Sequence, residues 1–180
     1  MIHNRNEGNK MRLFIAINFT DDTKNGLIAM CDQLRSRSER GRFSLPENLH
    51  LTLVFLGECD AEQTTAAKTA MDEVIFEPFD LAIERIGRFK RDGGDIFWAG
   101  VRENKALSDL QQKLTYCLRS KGFKLEKRKY SPHITLGRDV VTDVAPHPIE
   151  PFGELVSQID LMKSERINGK LTYTSIYRNG

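Results

Sequence analysis

One short pattern occurs twice in this chain: His50-Leu51-Thr52-Leu53 returns as His133-Ile134-Thr135-Leu136. Both copies sit in short segments that read as strands, and residues two apart on a strand share a face. His50 and Thr52 therefore point one way while Leu51 and Leu53 point the other. His133 and Thr135 stand against Ile134 and Leu136 in the same manner. The polar pair belongs to a cleft or to solvent, the apolar pair to a core. If two halves of the chain are related by a pseudo-two-fold axis, both His-Thr pairs meet across one groove.

The segments around the repeat suit that arrangement. Residues 11–19 form a continuous apolar run and read as a buried strand. Thr20, Asp21 or Asp22 can cap a helix expected to run to about Arg40, with Leu27, Met30, Cys31 and Leu34 on one stripe. Pro46 and Asn48 mark a turn, and residues 49–56 alternate as a strand that Gly57 ends. A second helix fits 60–75. Strands are expected over 79–87 and 95–101, joined by a loop holding Gly93 and Gly94. A third helix fits 104–121 and stops at Gly122. Another short strand fits 133–138. Pro146, Pro148 and Pro151 predict a stiff loop over 145–152. Two last strands, 155–163 and 170–177, are joined through Asn168-Gly169, a hairpin turn signal. Hairpins mixed with helices favour an α+β class over a purely parallel sheet.

No linker rich in Pro, Gly or Ser divides the chain, so residues 11–180 read as one domain. Residues 1–10, which include His3, are polar and read as a flexible arm or tag remnant, with Met11 a candidate start. No secretory signal core and no window near the ~18 apolar residues of a membrane span are visible, so a cytoplasmic, membrane-free protein is expected. Cys31, Cys59 and Cys117 are odd in number and far apart, unlike a disulfide framework or a zinc site. A net charge of +2 excludes a coating protein for nucleic acid. Local basic runs say more: Arg35, Arg37, Arg40 and Arg42 precede His50, and Arg119, Lys121, Lys124, Lys127, Arg128 and Lys129 precede His133. Such runs either receive phosphates or form a solvated face.

The chemistry follows from the repeat. Opening a phosphodiester needs a base for the attacking water and an acid for the leaving oxygen. Imidazole does either near neutral pH. Two imidazoles on opposite sides of one phosphorus supply both roles without a metal, and each Thr hydroxyl can donate to a non-bridging oxygen. A single H-x-T in a strand is common and carries little. Two copies with matched apolar alternation, each after a basic run, carry more. A metal phosphodiesterase is a poor alternative, since no histidine is followed by Asp and no H-x-x-x-H pair exists. An RNA-binding module without catalysis would keep the basic runs but has no need of two matched His-Thr pairs. No Walker-type glycine loop is present, so an ATP-driven ligase is not expected and neither is any cofactor.

The segments His50-Leu51-Thr52-Leu53-Val54-Phe55-Leu56-Gly57 and Pro132-His133-Ile134-Thr135-Leu136-Gly137-Arg138 resemble the paired signatures of the two-histidine phosphoesterase superfamily. The branch they resemble is the RNA 2′,3′-cyclic phosphodiesterases, also called 2′-5′ RNA ligases. The opening MRLFIAI, Pro46-Glu47-Asn48-Leu49, the Trp98 strand and the ending with Ser164, Gly169 and Tyr173 are similar too. Two departures are Gly137, where many members carry alanine, and the ten extra residues at the start. The resemblance implies a bilobal pseudo-two-fold fold of two antiparallel sheets backed by helices, with the active-site groove between the lobes. It implies catalytic His50 and His133, phosphate-binding Thr52, Thr135 and Arg138, no metal, and RNA or nucleotides with 2′,3′-cyclic phosphate ends as partners of a monomer. It also implies expulsion of the 3′ oxygen, leaving a 2′-phosphate; ligation is the same chemistry reversed. The assignment leans to His50 as proton donor and His133 as acceptor, with pseudo-symmetry leaving the reverse open. For Arg138 the alternative is a surface salt bridge.

Other residues have plainer expectations. Phe55 is out of phase with His50 and is assigned to the core rather than to a base-stacking platform. Trp98 is assigned to the core, His147 to a surface loop, and Tyr130 to base stacking or to packing at the rim.

Overall fold

Strand β1 (Met11–Asn18) opens the described part of the computed structural model, which covers residues 10–180. The expectation of an arm over residues 1–10 thus lies, Lys10 aside, outside the described residues. After β1 come α1 (Asp21–Ser36), β2 (Ser38–Phe43), a 3₁₀ turn (Pro46–Asn48), β3 (His50–Cys59), α2 (Ala61–Glu73), β4 (Phe79–Phe89) and β5 (Asp95–Val101). Next along the chain are α3 (Lys105–Ser120), β6 (His133–Thr142), β7 (His147–Val156), β8 (Ile159–Ile167) and β9 (Lys170–Asn179). The strands form two antiparallel sheets, ordered β3-β1-β8-β9 and β2-β6-β5-β4-β7. Helix α1 packs on β6 and β7, whereas α2 packs on β3 and β9 and α3 on β3. This is the α+β class expected from hairpins mixed with helices, with the two antiparallel sheets that the resemblance implied.

The apolar sets on the inner faces of both sheets merge into one core. Leu13, Ile15 and Ile17 of β1, Leu51 and Leu53 of β3, and Ile134 and Leu136 of β6 all belong to it. The helices add Leu27, Leu34, Met71, Leu107 and Leu114. Each such side chain contributes about 1.5–3 kcal/mol of burial. β1 is also covered on its other face, where Phe14, Ala16 and Met162 cluster under Tyr173. Burial on both faces explains why its sequence is a continuous apolar run rather than an alternating one.

Four local expectations are corrected. The first helix stops at Ser36, not near Arg40, because no apolar residue continues its stripe after Leu34. Residues 38–43 instead pair with β6 as an edge strand, Ser38 opposite Thr142 and Phe43 opposite Gly137. Within the stretch 145–152, residues from His147 on belong to strand β7 (His147–Val156) rather than to a stiff loop. β7 is an edge strand, which tolerates proline, and its register against β4 shifts between Pro148 and Phe152. The expected strand 155–163 is two strands, broken between Val156 and Ile159. Gly57 does not end its strand: at φ +79° it sits in a bulge, opposite Leu13, and β3 continues to Cys59.

Candidate active site between the two His-Thr strands

The two motif strands share a distortion as well as a sequence. In β3, Thr52 faces Ala16 and Val54 faces the next residue, Ile15, so Leu53 has no partner of its own. In β6, Thr135 faces Trp98 and Gly137 faces Phe97, so Leu136 has none. Each strand thus bulges directly after its H-x-T. A bulge reverses the facing of the residues beyond it. Burial alternates as far as Leu53 and Leu136, then Val54 and Gly137 are buried as well. Phe55 and Arg138 are consequently turned out, to the side of the histidine and threonine. Phe55 is 58% exposed, which overturns its assignment to the core. Arg138 reaches the site by the same device.

Both imidazoles are held in one tautomer by the backbone. His50 Nδ1 lies 2.7 Å from the carbonyl of Asn48, and His133 Nδ1 lies 2.8 Å from that of Ser131. A carbonyl only accepts, so Nδ1 donates in each ring and the neutral ring keeps its lone pair on Nε2. His50 Nε2 is 2.9 Å from Thr52 Oγ1. Aromatic rings fix the imidazoles further. Phe14 and Tyr173 lie 4.9 and 5.1 Å from His50, ring centre to ring centre, and Phe89 meets His133 edge-on at 5.2 Å. From the sequence, Phe14 and Phe89 were not singled out, and Tyr173 was named only within the resemblance. Phe14 is hidden in the apolar run of β1, and Phe89 and Tyr173 are brought in by pairing across the sheets.

Trp98 is not a core residue: it is half-buried, 6.4 Å from His133 and 5.3 Å from Phe89. Its indole lies across Gly87 and Gly100, where a side chain would collide with it. Two buried side-chain polar atoms have no partner among the described residues, Asn48 Oδ1 and Trp98 Nε1. Both belong to residues touching the motif histidines, where unsatisfied groups point to function.

The charges couple the two strands, which also touch each other. Burial holds both imidazoles below the ordinary histidine range, and the backbone hydrogen bonds oppose this. The charges of His133 and Arg138 lower His50 further, and those of Arg138 and Arg128 lower His133. Arg138 thus stands within electrostatic reach of both rings. Among the described residues no carboxylate pairs with Arg138; its neighbour Asp139, at φ +54°, pairs with Arg42 at 2.5 Å instead. The surface salt bridge weighed for Arg138 is taken by Arg42.

Thr135 shares the His133 face, and its carbonyl accepts from Ser44 Oγ at 2.7 Å. Tyr130 packs at the rim, half-buried, and its hydroxyl donates to the Thr52 carbonyl at 2.9 Å. His147 is exposed but starts β7, at the far edge of the sheet from β6. The first basic run is largely engaged: Arg35 pairs with Asp32, Arg37 with Asp143 and Arg42 with Asp139. In the second run Lys121 pairs with Glu73 and Arg128 with Glu126. Among the described residues no three of His, Cys, Asp and Glu are grouped to hold a metal ion, and no helix is long and apolar enough to cross a membrane.

Residues 24–166 match the model of the 2′-5′ RNA ligase superfamily. The chain is 32% identical over 152 residues to an RNA 2′,3′-cyclic phosphodiesterase of Archaeoglobus fulgidus, covering 81% of this chain and 85% of that one. It is 30% identical to the Escherichia coli RNA 2′,3′-cyclic phosphodiesterase, over 93% of this chain and 94% of that one. The crystal structure of E. coli LigT complexed with 3′-AMP superposes with a TM-score of 0.82 at 28% identity, over 94% and 97% of the two chains. By the matched family model and these relatives, the chain belongs to the 2′-5′ RNA ligase superfamily, in the family of the RNA 2′,3′-cyclic phosphodiesterases.

Proposed function

We propose that this protein hydrolyses 2′,3′-cyclic phosphate ends of RNA to 2′-phosphomonoesters by metal-independent acid–base catalysis from His50 and His133. The observation that carries the proposal is the pair of bulged H-x-T strands, each holding its imidazole through Nδ1 on a backbone carbonyl, which leaves Nε2 as the nitrogen that exchanges a proton. Water attacks phosphorus in line with the 3′ oxygen. The base takes the water proton as the new P–O bond forms, the P–O3′ bond breaks, and the acid protonates O3′. The roles assigned are His50 as acid and His133 as base. Thr52 and Thr135 hydroxyls donate to the non-bridging oxygens, and Arg138 offers its fixed charge to the pentacovalent phosphorus. The exposed Phe55, 6.0 Å from Phe14, provides an aromatic wall for the terminal base. With a 5′-hydroxyl in place of water as the nucleophile, the same base takes its proton, P–O5′ forms as P–O3′ breaks, the acid protonates O3′, and the product is a 2′-5′ linkage made at the same groove. One chain carries every group named, so the monomer suffices.

Metal independence is supported by the donor set, since two imidazoles and two hydroxyls without carboxylates make a poor first coordination shell. The test is hydrolysis of a short RNA ending in a 2′,3′-cyclic phosphate, with and without saturating EDTA, with phosphorus NMR of the product. The expected result is a 2′-phosphate formed at the same rate under chelation. Activity lost to EDTA and regained with Zn²⁺ or Mn²⁺ refutes metal independence. A predominant 3′-phosphate refutes the direction of opening.

A further inference from the structure

A cavity of about 580 Å³ lies outside the groove, between the outer face of α3 and the segment leading into β6. Its walls include Tyr116 and Arg119 of α3, and Glu126, Lys127, Arg128 and Tyr130. Tyr116 is 76% exposed, an aromatic ring given to solvent on a helix whose apolar face is already buried. Three cations and one carboxylate line the cavity. Glu126 engages Arg128 through its carboxylate at 2.6 Å and Arg119 through its backbone carbonyl at 3.3 Å. Those contacts hold the guanidinium groups in place and leave Lys127 uncommitted among the described residues. The volume falls in the range of small-ligand sites, about 300–1,000 Å³. An exposed aromatic ring beside clustered cations is the combination that holds single-stranded nucleic acid, by stacking on any base and by contact with its phosphates.

Two walls of this cavity connect to the reaction centre. Tyr130 lines it and also donates to the carbonyl of Thr52. Arg128 lines it, and its charge reaches His133. The chain from Arg128 to His133 is short, a span of at most about 18 Å. The cavity is therefore within a short stretch of RNA from the cyclic end.

We propose that this cavity is a subsite for a nucleotide upstream of the cyclic phosphate, with its base on Tyr116 and its phosphates against Arg119, Lys127 and Arg128. The proposal rests on the phosphodiesterase reading and adds to it a preference for oligonucleotides over mononucleotides. Three cations against one carboxylate in its lining favour an anionic occupant, and the tyrosine beside them favours one that carries a base.

The experiment has a kinetic and a binding arm. Cyclic-phosphate substrates of one to four nucleotides are hydrolysed by wild type, Tyr116→Ala, Tyr116→Trp and Arg119→Ala. In parallel, a 5′-labelled tetranucleotide with a 2′-phosphate end is titrated with each protein by fluorescence anisotropy. Tyr116→Ala is expected to lower kcat/KM on the tetranucleotide about 5- to 100-fold, chiefly through KM. It should weaken tetranucleotide binding by a similar factor, leave the mononucleotide unchanged, and be rescued by Tyr116→Trp. The length at which the effect begins locates the subsite along the RNA. Equal losses on all lengths, or no loss of tetranucleotide binding, overturn the proposal. If wild type hydrolyses no cyclic substrate, the functional reading fails by itself, and the binding arm still decides the subsite.

Discussion

Gly87 has no side chain because the Trp98 indole occupies the place of one, and this makes Gly87→Ala an informative small change at the site. A Cβ built on Gly87 overlaps Cη2 and Cζ2 of Trp98 and lies 2.6 Å from Cζ3. Carbon atoms pack at about 3.5–4.0 Å, so the ring has to move by about 1 Å or more. It has little room behind it. Phe89 flanks it at 5.3 Å, and the Arg85 guanidinium sits over it at 5.9 Å. A shift of the ring also changes its contact with His133, 6.4 Å away, whose own ring rests on Phe89. A displacement of about 1 Å at a reacting group can cost about 10²-fold in rate. Overpacking of this size destabilises by about 1–3 kcal/mol, leaving a folded enzyme. The expected result is a kcat/KM on a cyclic dinucleotide reduced about 10- to 100-fold at 25 °C, with one cooperative thermal transition lowered by several degrees. Adding Trp98→Phe, which shortens the ring, should recover much of the loss, since residues in contact are non-additive. Wild-type kcat/KM in Gly87→Ala, or a loss that Trp98→Phe does not relieve, refutes the idea that Trp98 sets the position of His133.

The remaining predictions concern the groups placed at phosphorus. His50→Ala and His133→Ala should each lower turnover by about 10²–10⁴-fold or more, with circular dichroism unchanged; a near wild-type rate in either variant ends the two-histidine mechanism. Thr52→Ala and Thr135→Ala should lose less, about 10–10³-fold, as single donors to an anion. Arg138→Ala removes a charge that lowers both histidines, so both should titrate at higher pH. The pH–rate bell should move to higher pH as its height falls about 10–10³-fold. Arg138→Lys should restore the position of the bell but not its full height, because lysine lacks the planar fork. A bell that stays in place in Arg138→Ala rules out the electrostatic role.

Much of this site follows from a period of two. The His-Thr faces of β3 and β6, and the apolar faces opposite them, could be read directly from alternation. What alternation does not show is where it breaks. Counting from His50 sends Phe55 to the core, and the bulge after Leu53 sends it out. The signal was present in the second copy. Counted from His133, Arg138 would point into the core, where an unpaired guanidinium is too costly to bury. A break between Thr135 and Arg138 was therefore required, and by the repeat also one between Thr52 and Phe55. β2 was hidden for another reason. Its sequence, Ser38 to Phe43, is charged and carries Gly41, and only the free edge of β6 makes it a strand. β7 was hidden by its prolines, which mark an edge as well as a loop. Aromatic neighbours of the histidines depend on register between distant strands, which composition and period do not specify.

The two histidines have matching backbone contacts but different surroundings, and this sets the order in which they take protons. His133 is the less buried ring and its charge opposes a proton on His50, so the first proton is expected on His133 as the pH falls. Trp98 makes this measurable, being the single tryptophan of the chain and lying beside His133. A charged imidazolium quenches a neighbouring indole, so Trp98 emission should fall as pH decreases, with its main midpoint below the usual value of about 6.5. That midpoint should coincide with the alkaline limb of the kcat/KM profile, because loss of the first proton inactivates the free enzyme. The change should vanish in His133→Ala and move to higher pH in Arg138→Ala. A fluorescence midpoint on the acidic limb reverses the order of protonation, and emission independent of pH refutes the contact itself. The order matters for the mechanism. With His50 as acid and His133 as base, the singly protonated enzyme holds its proton mainly on the wrong ring. The reacting form is then a minority tautomer, and the rate of each productive complex exceeds what the height of the bell suggests.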